Sequence, residues 1–158
     1  MEARLIGLAQ ALQASPFGMW SSGAAYPWAN LVHLLGLVML VGGIGVVDLR
    51  LAGAFRALPL AALSRALTPV ALVGLALMVP SGTILFAADA GSLATSDTFR
   101  IKLVLIALAL ANAVAFRLLW RRLDDWDAPA PIAARAMAVS SLALWLAVGV
   151  QGRMIAYS

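Results

Sequence analysis

The chain has one histidine, His33, and no cysteine. His33 lies inside the apolar run "ANLVHLLGLVMLVGGIGVVDLRLAG", residues 29 to 53, and a lone imidazole in such a setting has three chemical uses. It can ligate a metal, it can be the axial ligand of a haem, or it can hydrogen-bond a quinone oxygen. Haem b also needs a flat apolar slot and cations for its two propionates. Gly36 and Gly43 would supply the slot, and Lys102 with Arg153, joined by Arg100, the cations. A sixth ligand would come from Met78, from Met154 or from His33 of a second copy. A quinone asks for less: a pocket among apolar helices and a donor to its carbonyl, from His33, Lys102 or Gln151. Copper is the weakest of the metal readings. Met39, Met78 and Met154 lie in or near the apolar stretches, but no Met-x-x-Met or His-Met cluster occurs. The competing structural reading has His33 hydrogen-bonded across a helix bundle while Lys102 and Arg153 reach toward lipid headgroups.

The far end of the same run carries Asp48 and Arg50. Two residues apart on a helix they point to different faces, so Asp48 reads as a structural anchor pairing with Arg117 or Arg121, and Arg50 as a topology-setting charge. "DDWD" at 124 to 127 has the acids for a divalent cation, but beside Arg121 and Arg122 it reads as a solvated, self-neutralising turn. No nucleophile with its base, phosphate-binding glycine loop or carboxylate pair is present, which leaves hydrolase and transferase chemistry without support.

The elements that must hold these side chains follow from composition. Of 158 residues 63% are hydrophobic and 11% charged, and the mean hydropathy is +0.97, so lipid is the natural solvent. Four nearly uncharged stretches of bilayer-spanning length occur at about 28–48, 64–89, 98–120 and 132–155. Residues 2–15 read as a short interfacial helix with Leu5, Leu8, Ala9 and Leu12 on one face, ended by Ser15, Pro16 and Gly18. Trp20, Tyr26 and Trp28 then form an aromatic belt. Pro69 falls in the first turns of the second span and Pro80 in its interior, where it frees the Ala76 carbonyl and predicts a kink. Residues 89–98 form a polar linker with Ser96 or Asp97 as N-cap of the third span.

Short connections make the fold class all-α: an integral membrane up-down-up-down four-helix bundle in a single domain. Seven of the eleven Lys and Arg residues flank the loops between spans 1 and 2 and between spans 3 and 4. The positive-inside rule therefore sends both termini to the periplasmic side of a bacterial inner membrane. The formal charge of +4 is spread over span edges, which argues against a nucleic-acid partner. His33 and Lys102 then lie at similar depth, with Gln151 and Arg153 close by and Ser81 and Thr83 approaching the same level. Asn30, His33, Gly36, Leu40 and Gly43 share one face of span 1, and Gly149 and Gly152 open span 4 in the same way, letting a helix or a flat ligand approach.

The segments "HLLGLVMLVGGIGVVDLRLAG", "SGTILFAADA", "FRIKLVLIALALANAVAF" and "GRMIAY" resemble a family of small bacterial four-helix inner-membrane proteins of unknown function, over nearly the whole chain. An early His in span 1, the glycines after it and the Phe-x-x-Lys-Leu at Phe99–Leu103 are more distantly similar to copper-resistance D-type and haem-binding membrane proteins. The second resemblance implies iron ligation by His33, from a chain with no second His to complete a pair. The expected function is a redox-associated membrane module that binds haem b or quinone through His33. The alternative is a non-catalytic subunit or assembly protein within a larger membrane complex or homo-oligomer.

Overall fold

The computed structural model describes residues 2–120 and 130–157. The "DDWD" turn, Arg121 and Arg122 lie outside the described residues. Among those described the chain is mostly helical, with no strand. Helix α1 spans Glu2–Gln13, α2 Pro16–Ser22, α3 Tyr26–Ala52, α4 Leu60–Ala88, α5 Ala90–Thr95, α6 Asp97–Leu119 and α7 Ile132–Met154, and a 3-10 turn closes at Ile155–Tyr157. Helices α3, α4, α6 and α7 are long and apolar enough to cross a bilayer, which makes the chain a multi-pass membrane protein. They run alternately up and down, so both termini lie at one end of the bundle.

Local chemistry sets the boundaries. Ser15 ends α1 and starts α2: its hydroxyl donates to the Leu12 carbonyl (2.6 Å) and accepts from the Gly18 amide (3.2 Å). Pro16 then occupies the first turn of α2, where its missing N–H costs nothing. The break expected at residues 15–18 is therefore only a corner, and the chain resumes as helix. Helix α3 stops at Gly53, whose φ of +113° caps it through its amide to the Arg50 and Leu49 carbonyls. Arg135 of α7 reaches over to the Ala52 carbonyl (3.0 Å), and Arg50 holds the following loop through the Leu58 carbonyl (2.7 Å). Ser96 is the N-cap of α6, accepting from the Phe99 amide (3.2 Å). Helix α4 begins earlier than the second span expected from sequence, which places Pro69 well inside it along with Pro80. Part of the polar linker folds as α5, because Gln13 Oε1 accepts from the Gly91 amide (2.8 Å) and ties α5 to α1.

Packing is uneven. Helix α3 is the centre, with α4 on one side and α7 on the other, while α6 packs on α7. The α3–α4 seam is built from small residues: a Cβ on Gly36 would lie 2.7 Å from the Gly74 carbonyl oxygen, and one on Gly43 2.9 Å from that of Leu67. Without a hydrophobic drive between helices in lipid, such close backbone approach supplies the van der Waals contact that holds them. Helices α4 and α6 meet weakly, and Phe86 stacks on Phe99 (5.5 Å between centroids) at the end that carries the termini. Helix α6 is accordingly the least buried of the four. Leu40, Ala71, Met78, Ala109, Trp145 and Val148 form the central core. At the terminal-bearing end α1 rests on α5 and α2 on α4; of the expected apolar face of α1, Leu5 and Leu8 stay 60% and 69% exposed while Ala9 is buried and Leu12 half-buried, so only part of that face is free for lipid.

Candidate functional site

The weak α4–α6 seam leaves space on both sides of the central core. The larger cavity, about 560 Å³, lies at the terminal-bearing end and takes wall residues from all four spanning helices and from α5. His33 of α3, Lys102 of α6 and Arg153 of α7 all line it, as do Gly82, Gly149 and Gly152. Three polar side chains from three helices thus share one chamber, and the floor is apolar, made by Leu37, Met78 and Val148.

His33 is held in a defined tautomer. Ser81 is 3% exposed, and its hydroxyl spends its proton on the Leu77 carbonyl (2.6 Å). It can then only accept from His33 Nδ1, 3.0 Å away. Nδ1 therefore carries the ring proton, and Nε2 keeps its lone pair. Gly82 makes room for this: a Cβ there would sit 3.2 Å from His33 Cε1. The orientation follows from sequence locally, because Ser81 comes one residue after Pro80 and lies on the buried face of α4.

Lys102 crosses to α7, where Gly152 admits it; a Cβ on Gly152 would be 3.3 Å from Lys102 Nζ. The ammonium lies within electrostatic range of His33. Arg153 is the exposed member. Its Nη2 donates to the Tyr157 hydroxyl (2.6 Å) and its guanidinium sits 4.9 Å from the centroid of the same ring, which holds it at the cavity rim.

Other residues singled out from sequence are placed elsewhere. Gly36 and Gly43 are packed against the α4 backbone, so the approach they permit is that of a helix, and no slot for a flat ligand remains beside them. Gln151 is half-buried but is not part of the cavity wall. Thr83 is exposed and returns its hydroxyl to the Val79 carbonyl (2.9 Å). Asn30 is on the wall, near the mouth. Met78 lines the cavity on the His33 side and Met154 is exposed. Among the described residues no cluster of three or more His, Cys, Asp or Glu is present, although Asp89 lines the same cavity as His33.

Asp48 does not meet Arg117, the first of its two expected partners. It is 5% exposed, makes no ion pair with Arg117 and shares a cavity wall with Ser141 of α7; Arg121, the other expected partner, lies outside the described residues. Ser141 is a residue that sequence reasoning missed. Its only signal is that a carboxyl within a span requires a polar partner on a facing helix. Tyr157, the partner of Arg153, was also missed, although its i,i+4 spacing pointed to it.

No protein-family model, curated protein or solved structure matches the chain.

Proposed function

We propose that the protein binds the headgroup of a lipid-soluble quinone or quinol in the larger cavity, as a small redox-associated module of a bacterial inner membrane with both termini periplasmic. One observation carries the reading: Ser81 consumes the Nδ1 proton of His33, which leaves Nε2 as an acceptor in a chamber that also holds the Lys102 ammonium. A quinol hydroxyl would donate to Nε2, and Lys102 would donate to a headgroup oxygen. The weak α4–α6 seam suits entry of an apolar tail from lipid.

Haem b is the second reading, favoured by the free Nε2 lone pair, by Met78 in the same wall and by Lys102 and Arg153 as propionate partners. The packing of Gly36 and Gly43 against α4 removes the slot on which that reading relied, which places it behind the quinone.

The test is equilibrium binding of short-chain benzoquinone and naphthoquinone analogues to the full-length protein in neutral detergent. Saturable binding that weakens about tenfold or more in His33→Ala and Lys102→Met supports the proposal. Absence of saturable binding refutes it and favours a non-catalytic subunit or assembly role. A Soret band that disappears in His33→Ala would replace quinone by haem. A reporter active only in the periplasm, fused to the C-terminus, tests the orientation; activity of a cytoplasmic reporter at the same position would overturn it.

A further inference from the structure

The end of the bundle away from the termini holds a second cavity, of about 420 Å³, that the quinone reading does not use. Its walls are mostly apolar, with Ile44, Leu72 and Phe116 among them. Each spanning helix nevertheless contributes polar atoms: Asp48 from α3, Ser64 and Thr68 from α4, Asn112 from α6 and Ser141 from α7.

Their hydrogen bonds leave acceptors over. Asn112 Nδ2 donates to the Met137 carbonyl (3.0 Å), which leaves Oδ1 as an acceptor. Ser64 and Thr68 share one bond at 3.3 Å. Ser141 stands in the same wall as the Asp48 carboxyl, whose Oδ2 is buried with no hydrogen-bond partner among the described residues. An ionisable side chain inside a span that faces the bundle interior calls for a partner. Arg117 lines the same cavity, yet it is exposed and makes no ion pair with Asp48. No described side chain supplies the missing donor, and a ligand that brought it would need a body that the apolar walls accept.

We infer that this cavity binds an amphiphile bearing a primary ammonium group, recognised by Asp48. The three N–H donors of the ammonium match Asp48 Oδ2, Asn112 Oδ1 and the Ser64–Thr68 hydroxyl pair. The apolar body lies along the α4–α6 seam. Oδ2 is sealed from the open part of the cavity, so binding turns the Asp48 side chain toward the incoming ammonium. Two sources share this chemistry: the headgroup of an aminophospholipid, whose phosphate Arg117 would meet at the rim, and a free long-chain amine. The site stands apart from the His33 cavity across the central core and does not depend on the quinone reading.

The experiment delipidates the full-length protein in neutral detergent and titrates it with phosphatidylethanolamine, with phosphatidylcholine of the same acyl chains, and with dodecylamine, reading bound ligand by native mass spectrometry. Phosphatidylethanolamine or dodecylamine should bind about tenfold or more tightly than phosphatidylcholine, which has the charge without the N–H donors. Preference for the phospholipid identifies a lipid headgroup, and binding of dodecylamine alone identifies a free amine. Asp48→Asn, which keeps the shape, should erase the preference. Equal binding of the two phospholipids with no dodecylamine binding overturns the inference, as does a preference that survives Asp48→Asn. If that variant does not fold, the wild-type comparison decides alone.

Discussion

A single methyl group at Gly36 probes what holds the bundle together. A Cβ built there lies 2.7 Å from the Gly74 carbonyl oxygen and 2.7 Å from Met78 Cγ. The Met78 side chain can swing away, but the carbonyl belongs to α4 itself. To turn 2.7 Å into a 3.4 Å contact, α3 and α4 must part by about 0.7 Å along that line. Overpacking of this kind costs about 1–3 kcal/mol, against which a helical Gly→Ala exchange returns about 0.5–1 kcal/mol. Gly36→Ala should therefore destabilise the protein by about 1 kcal/mol, within a span of about 0–2.5 kcal/mol. Gly42 on the same helix is the control, since a Cβ there meets nothing within 4 Å. Gly42→Ala keeps the propensity gain and has no clash, so its effect should be zero or stabilising even where the denatured state retains helix. The assay is reversible unfolding in mixed micelles, with both variants compared with wild type. Equal shifts for the two, or a destabilisation confined to Gly42→Ala, would refute the seam as the source of stability.

Three further outcomes follow from the same contacts. Ser81→Ala removes the acceptor that fixes the His33 tautomer; stability should fall by about 0.6 kcal/mol, the average for side-chain hydrogen bonds in membranes, and nitrogen NMR of the imidazole should show the Nε2-protonated form gaining population. Gly53→Ala places a side chain at φ +113° beside the Arg135 guanidinium, and should cost about 1–2 kcal/mol by the same unfolding assay. Gly152→Leu should drive Lys102 off α7, weakening binding in the larger cavity while leaving the helix content measured by circular dichroism unchanged; undiminished binding would remove Lys102 from the site.

The sequence by itself determined the spans, because in hydrocarbon a backbone can satisfy its polar groups only as helix, and length and charge spacing then mark each crossing. It also determined that His33 and Lys102 share a depth, since helical rise converts residue number directly into distance along the axis. What it left open is rotation and neighbourhood. Lipid and bundle core are equally apolar, so a span's sequence carries little record of which face turns inward. Gln151 and Thr83 have the right depth and yet do not line the cavity, while Gly36 and Gly43, equally suited to a ligand or a helix, are taken by α4. Asp48 likewise carried no mark that it would share a cavity wall with Ser141 of α7. Only the tertiary packing, tight between α3 and α4 through glycine and weak between α4 and α6, decided where the two cavities open and which polar side chains meet in them.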